Sequence, residues 1–294
     1  MDKPIFNIDR HSEGQRLDNF LRKQRKNLTT GQLYKLIRKG QIRINGKRSQ
    51  PSAKLQNGDL VRVPPFIYFE EPQTQIKLPA KTVDCLMASI IAENQDYLVI
   101  NKPAGMAVHK GTGHDYGVIE ILQHRPAYQH LLLAHRLDVV TSGCLVLAKN
   151  RTALLNFQAA LKARKVQKTY LALLEGVLEE PRVVQKNLAE TRINNLKTAV
   201  IDANGKPAET RFEPQKVNRG VTEVLCFPIT GRTHQIRAHA AYLNCPIIGD
   251  TQYGAKARNH LPRAVFLHAQ QVAFGGYLFQ APTPSEFENG WQAG

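Results

Sequence analysis

Acidic residues are scarce in this 294-residue chain, where 24 Asp and Glu stand against 40 Lys and Arg for a formal net charge of +16. A field of that sign favours a polyanionic partner, either a nucleic acid or an anionic membrane surface. The chain also lacks an apolar run of about 18 residues and an amino-terminal signal pattern, so the membrane option falls and a cytosolic protein is expected. Cysteine is sparse too: Cys85, Cys144, Cys226 and Cys245 are scattered, with no Cys-x-x-Cys and no Cys/His cluster at zinc spacing. They are expected to be small buried apolar residues in a reducing compartment. His109 with His114, and His234 with His239, miss the i, i+4 spacing that puts two imidazoles on one helical face, so no metal is expected. No G-x-G-x-x-G lies between a strand and a helix, so no dinucleotide cofactor is expected either.

What the chain does have is concentrated basic charge. Between Arg10 and Lys54 there are 13 Lys or Arg and two acids, Glu13 and Asp18, which is +11 of the total +16. Apolar residues within this segment are periodic. Leu17, Phe20 and Leu21 fit one helix, Leu33, Leu36 and Ile37 a second that Gly40 closes, and Ile42 and Ile44 a strand turning at Asn45-Gly46. Arg22, Lys35, Arg38, Lys39, Arg43, Lys47 and Arg48 then fall largely outside this small core. A solvated surface is the plain reading of any charge run, but one sign on both helices and the hairpin costs self-repulsion without structural return, so a phosphate-backbone footprint explains it better. Pro64-Pro65 is expected to end the module, and residues 64–84 to form a linker.

The rest of the chain is organised around Ala134 to Lys149. The first half of this stretch is polar and turn-forming with one carboxylate, Asp138, and the second half runs into Cys144-Leu145-Val146-Leu147-Ala148 as a buried strand. A lone Asp beside a strand is most often a turn former. This one sits two residues after Arg136 with no second acid nearby to share a proton or a metal, an arrangement expected to keep it ionised and better suited to a nucleophile than to a proton donor. Leu154, Phe157 and Leu161 then recur at helical spacing as a core-facing helix. Lys168 to Gly176 reads as a strand, and 208–212 with 221–227 as two more, joined at Asn218-Arg219-Gly220. Alternating strands and hairpin turns argue for a mostly antiparallel mixed sheet. Thr233 is a good amino-terminal cap for a helix buried through Ile236, Ala240 and Leu243, and Arg237, about 100° around from Ile236, can point at a neighbouring cleft.

These blocks carry a resemblance. His135-Arg136-Leu137-Asp138-x-x-Thr141-Ser142-Gly143, Lys168-x-Tyr170-x-Ala172, Thr230-Gly231-Arg232-Thr233-His234-Gln235-Ile236-Arg237 and Phe266-Leu267-His268-Ala269 resemble the motifs of RluA-type pseudouridine synthases. Gly14-Gln15-Arg16-Leu17-Asp18, Leu36-Ile37-Arg38-Lys39-Gly40 and Gly58-Asp59-Leu60-Val61 resemble the S4 RNA-binding domain. The resemblance implies Asp138 as nucleophile, Tyr170 as the ring against the target base and Arg237 as the ion-pair partner of Asp138. It further implies substrate contacts from Arg136, His135, Thr141, Arg232 and Leu267, and a supporting role for Asn101-Lys102-Pro103-x-Gly105 beside the aspartate. Val139 and Val140 stand where family members often carry a charge, from which altered local packing or RNA contact rather than lost catalysis is expected.

The expectations are an α+β protein with an S4-like domain at 1–63, a linker at 64–84 and a catalytic domain at 85–294. That catalytic domain should hold a mixed, mostly antiparallel sheet flanked by helices and loops. The implied activity is isomerisation of uridine to pseudouridine without cofactor. The implied partner is RNA, first large-subunit (23S) ribosomal RNA or its assembly precursor, with a transfer RNA as the alternative, and the protein is expected to be monomeric. The rival reading from another class is a noncatalytic RNA-binding assembly factor.

Overall fold

The structure is a computed structural model that describes residues 4–25, 28–68, 78–111, 114–194, 196–257 and 265–292. The chain divides into two compact units, Met1–Lys77 with Asn150–Thr152, and Leu78–Lys149 with Ala153–Gly294.

The first unit runs β1 (Ile5–Asn7), α1 (Leu17–Gln24), α2 (Thr30–Arg38), β2 (Arg43–Ile44), β3 (Leu60–Arg62) and α3 (Pro65–Tyr68). Its three strands form an antiparallel sheet in the order β1-β3-β2. Leu17, Phe20 and Leu21 of α1 meet Leu33 and Ile37 of α2 over Ile42, Val61 and Ile67 in one buried cluster, as helical spacing requires. Thr29 caps α2, its hydroxyl accepting from Gln32 N while the Gln32 side chain accepts from Thr29 N. Asp18 is buried inside this basic unit because the Arg16 guanidinium and the Tyr34 hydroxyl both donate to it, at 2.7 and 3.0 Å. Those Arg16 bonds, against the opposing effect of burial, hold its carboxyl below the ordinary range.

Two expectations about the chain after this module are corrected. Pro65 opens the helical turn α3 instead of ending structure, since a proline is tolerated at the first helical position where its missing N–H has no partner to lose. Ile67 from that turn is buried in the first unit's core. At the other end of the expected linker, α4 (Ala80–Ala88) buries Val83 and Leu86 in the second unit. Residues 69–77 lie outside the described residues.

The second unit continues with β4 (Ile90–Glu93), β5 (Tyr97–Lys102), α5 (Val118–Gln123), β6 (Leu132–Leu133), β7 (Ser142–Ala148), α6 (Arg151–Lys162, in this unit from Ala153) and β8 (Gln167–Glu175). After these come β9 (Arg182–Gln185), β10 (Leu188–Ile193), β11 (Leu196–Ile201), β12 (Glu209–Asn218), β13 (Val221–Pro228) and α7 (Gln235–Tyr242). The chain closes with β14 (Leu267–Phe274), β15 (Tyr277–Gln280) and α8 (Glu286–Gln292). The large sheet has the order β4-β5-β7-β14-β8-β13-β12-β9, with β15 on β14 and β6 on β7, and β10-β11 form a separate two-stranded sheet. Its described pairings are antiparallel except β7 with β14. The fold is thus α+β with a mixed, mostly antiparallel sheet.

Both faces of the sheet are covered. Leu98 and Ile100 with Leu145 and Leu147 enter one cluster, and their neighbours Tyr97, Val99, Cys144 and Val146 enter the other, the two-residue period of a strand buried on both sides. Helix α6 buries Ala153, Leu154 and Phe157, whereas Leu161, expected in the core, is 39% exposed one turn beyond it. Cys144, Cys226 and Cys245 are buried as expected; Cys85 is exposed on α4.

Candidate active site

Asp138 sits in the loop that delivers the chain into β7, and four separate contacts fix that loop. The Thr141 N–H donates to the Asp138 carbonyl at 3.1 Å, closing a tight turn. The carbonyl of Val139 accepts from Gly105 N at 2.8 Å and from Lys102 Nζ at 3.2 Å. His135 lies stacked on Phe157 with its Nε2 accepting from Val146 N at 3.0 Å. Beyond the turn, Gly143 has φ +109°, and a Cβ there would meet the Ala269 carbonyl at 2.2 Å, so the glycine of the motif follows from how closely β14 approaches β7.

Lys102 has no solvent exposure, and its ammonium donates to the carbonyls of Pro103, Met106 and Val139. Burial pushes it down to about 7, with Asp138 pulling the other way. The Asn-Lys-Pro-x-Gly block therefore clamps the aspartate loop through the Val139 backbone, which leaves the valine side chains out of that contact.

The Asp138 carboxylate, 29% exposed, faces an open cleft of 920 Å³. All eight residues expected at the catalytic and substrate contacts line it: Asp138, Tyr170, Arg237, Arg136, His135, Thr141, Arg232 and Leu267. Lys162, Arg164 and Lys168 add to its cations, and Asp138 is the one acid among its lining residues. Tyr170 and Lys168 reach the same cleft two residues apart on β8. Burial pushes the Tyr170 phenol up, with Asp138 adding to the shift, and pushes the Lys168 ammonium down.

Several expectations are revised by this geometry. Arg136 is exposed and makes no ion pair with Asp138 among the described residues; the cation that reaches Asp138 is Arg237, Nη1 to Oδ2 at 3.9 Å. That contact is long because the guanidinium is committed elsewhere. Its Nε and Nη2 donate to Asp250 at 2.6 and 2.8 Å, Nη2 also donates to Gln252 Oε1 at 2.9 Å, and the group lies 4.8 Å over the Tyr253 ring. Burial opposes its charge, but the Asp250 bonds together with the nearby charges of Asp250 and Asp138 hold its pKa above the ordinary value. Asp250, 1% exposed, is thus the principal partner that the sequence reading assigned no role.

Thr233 does not cap α7. Its hydroxyl donates to Glu190, and the position before the helix is His234 in a left-handed conformation with φ 49°. No side chain caps α7 at that position; the Gln235 side chain instead ties down the preceding turn, accepting from Arg232 N at 3.0 Å. His135 is walled in at 8% exposure with its Nε2 bound to β7, a position that holds the loop more than it offers a ring to solvent.

In the first unit, Arg22, Lys35, Arg38, Lys39, Lys47 and Arg48 are exposed. Arg43 is only half-buried and donates to the carbonyls of Gly40 and Gly46, so it staples the turn it belongs to.

Residues 96–242 match the family model described as RNA pseudouridylate synthase, and residues 15–61 match the S4 domain. Ribosomal large subunit pseudouridine synthase C of Vibrio vulnificus (strain CMCP6) is 41% identical over 278 residues, covering 92% of this chain and 88% of that protein. The chain belongs to the RNA pseudouridylate synthase family. It is an RNA pseudouridine synthase, an isomerase, with an S4 RNA-binding domain ahead of its catalytic domain. The protein of the same description from Escherichia coli (strain K12) is 40% identical over 281 residues, covering 92% of this chain and 88% of that protein. Among solved structures, human RNA Pseudouridylate Synthase Domain Containing 1 superposes with a TM-score of 0.59 at 29% identity, covering 74% of this synthase and 90% of that chain. Among the described residues no group of His, Cys, Asp or Glu is arranged to hold a metal ion, and no helix is long and apolar enough to cross a membrane.

Proposed function

We propose that this synthase isomerises uridine in large-subunit ribosomal RNA and that Asp138 is its nucleophile. The observation that carries the assignment is a single carboxylate, held on a clamped loop, in a cleft whose other charged lining residues are cations. A uridine inside a folded RNA cannot meet that carboxylate while stacked, so it is extruded into the cleft. There the Tyr170 ring offers a stacking surface, Leu267 an apolar floor, and Arg136, Lys162, Arg164, Lys168 and Arg232 a field that receives the flanking phosphates.

Asp138 then attacks as an anion, at the ribose C1′ or on the uracil ring, and either route makes the same demand on the protein for an ionised carboxylate. The N1–C1′ bond breaks, the uracil rotates, a C5–C1′ bond forms, and the bond to Asp138 breaks to return the free carboxylate. The C5 proton is lost and N1 gains one, so the product has the mass of the substrate. Arg237 keeps the carboxylate company from 3.9 Å while its other nitrogens are fixed by Asp250 and Gln252.

The large-subunit RNA assignment is supported by the substrate named in the descriptions of relatives at 40–41% identity. The exposed cations of the S4 unit support attachment to the RNA backbone outside the modified site. We further propose that the synthase works as a monomer in the cytoplasm. The assignment is tested by incubating the purified protein with large-subunit and small-subunit ribosomal RNA transcripts and with transfer RNA, then mapping pseudouridine. Modification confined to large-subunit RNA is expected, and modification of transfer RNA alone would overturn it.

A further inference from the structure

The guanidinium beside Asp138 is held from a direction that the pairing with Asp250 does not explain. The turn Thr251–Tyr253 lies between Arg237 and the separate hairpin β10-β11 and binds both. Gln252 Oε1 accepts from Arg237 Nη2 at 2.9 Å, and Gln252 Nε2 donates to the Lys197 carbonyl at 2.9 Å and to the Thr198 hydroxyl at 2.8 Å. The amide has one orientation that satisfies all three partners, since a guanidinium can only donate and a carbonyl can only accept. The next residue repeats the pattern: the Tyr253 ring lies under the guanidinium at 4.8 Å, and its hydroxyl accepts from Ala199 N at 2.8 Å. Residues 197, 198 and 199 of β11 thus hold two residues that hold Arg237.

The geometry points to the β10-β11 hairpin as a positioning element of the active site, with Gln252 as the positioning residue through which it acts on Arg237. The inference rests on the reading of Asp138 and Arg237 given above. Nε and Nη2 of Arg237 are taken by Asp250 and Gln252, which leaves Nη1 as the nitrogen facing Asp138. Without the hairpin's hold on Gln252, Nη2 keeps Asp250 but loses the second anchor that sets the roll of the guanidinium plane, and Nη1 shifts against the carboxylate. Displacement of that kind acts on turnover more than on RNA affinity, because misplacing a charge-bearing group costs the reacting geometry first. The hairpin is also attached through Glu190 to Thr233, just ahead of α7, and through Leu188 and Ala199 to Ala238 of α7, the helix that carries Arg237. Its outer apolar residues Ile193 and Leu196 stay exposed at 49% and 58%.

The test is a pair of variants in the full chain and their double combination, read as kcat and KM for the RNA substrate together with a thermal melt. Gln252→Leu keeps the bulk and removes both ends of the bridge. Thr198→Val keeps the shape of β11 and removes the hydroxyl that anchors Gln252. We expect Gln252→Leu to lower kcat by about tenfold, equivalent to about 1.4 kcal/mol, with KM unchanged within about twofold. Thr198→Val should lower kcat about threefold, and the double variant should match Gln252→Leu alone, because the hydroxyl reaches Arg237 only through the amide it binds, its other bond, to the Leu196 carbonyl at 3.1 Å, staying within β11. An effect on KM with kcat intact, or losses that multiply in the double variant, overturns the proposal. Should Gln252→Leu fail to fold, Thr198→Val decides alone, and a wild-type kcat there overturns it. The two readings fail separately: turnover in Asp138→Asn sinks the assignment of the nucleophile, whereas an inert Asp138→Asn beside a wild-type kcat in Gln252→Leu sinks only the role of the hairpin.

Discussion

Arg237 and Asp250 form the buried ion pair of the site, and the consequences of breaking it differ from those of a pair between Arg237 and Asp138. With Asp138 29% exposed and Asp250 1% exposed, removing the guanidinium strands Asp250, since water can still reach Asp138. Arg237→Met should therefore destabilise the fold by about 3 to 5 kcal/mol. Adding Asp250→Asn should recover most of that loss without activity, and adding Asp138→Asn should recover little. Thermal melts of the three proteins decide between the partners, and recovery by Asp138→Asn instead would show that the short Asp250 contacts are not the ones that matter. His135 supplies a pH-dependent counterpart. Burial pushes its imidazole down to about 3, and its Nε2 must be unprotonated to accept from Val146. Its folded pKa lies below its unfolded value of 6.5, so the unfolded chain binds more protons between them and this part of the stability is lost as pH falls from about 6.5 toward 3. The slope it adds approaches about 1.4 kcal/mol per pH unit. His135→Gln keeps an acceptor without titrating, so its melting temperature should fall less steeply over that window; equal slopes would mean that His135 is not held neutral.

Strands β7 and β14 carry the most demanding contact between elements. Their parallel pairing brings Ala269 against Gly143 and His268 against Ser142, where Ser142 Oγ and His268 Nδ1 lie 2.9 Å apart. Gly143→Ala should destabilise by about 2 to 4 kcal/mol, from overpacking against the Ala269 carbonyl and from a left-handed φ, and should move the Asp138 loop with it. A melt within 1 °C of wild type would mean that the strands separate at no cost. Elements of this kind were legible from the chain to different degrees. The helices α1 and α2, the buried run of β7 and the hairpin at Arg219-Gly220 announce themselves through apolar period and turn residues that no distant contact overrides. The cap of α7 did not, because Thr233 has the right chemistry for a cap but is drawn away by Glu190 of β10, 43 residues earlier. The same limit hid Asp250 and Gln252: their partners on α7 and β11 are set by the tertiary fold, and a single Asp before a turn reads as a turn former. Lys168 was within reach, since it lies two residues from Tyr170 on one strand face.

The two units divide charge between them unequally, from which the proposed attachment to RNA is expected to be separable from the chemistry. The cations at 10–54 include Lys35, Arg38, Lys39 and Lys47, all exposed, whereas Arg43 is bound to its own turn. Replacing those four exposed lysines and arginines with Gln in the full chain should weaken RNA binding and lower the slope of log affinity against log salt by about 3 to 4 if each meets a phosphate. The melt should be unchanged, because none of the four contributes to the core. An unaltered slope would place the footprint elsewhere. Arg43→Gln should instead act on stability of the first unit and leave the slope nearly intact.

The account stands on Asp138. Asp138→Asn preserves the shape of the side chain and most of its hydrogen-bonding capacity but removes the anion that the proposed mechanism requires. The decisive measurement is pseudouridine formed by purified Asp138→Asn on large-subunit ribosomal RNA, read beside its affinity for the same RNA and its thermal melt. The account predicts no pseudouridine above the enzyme-free control, with wild-type folding and RNA affinity equal to or above that of wild type through relieved charge repulsion. Measurable pseudouridine from that variant would contradict it.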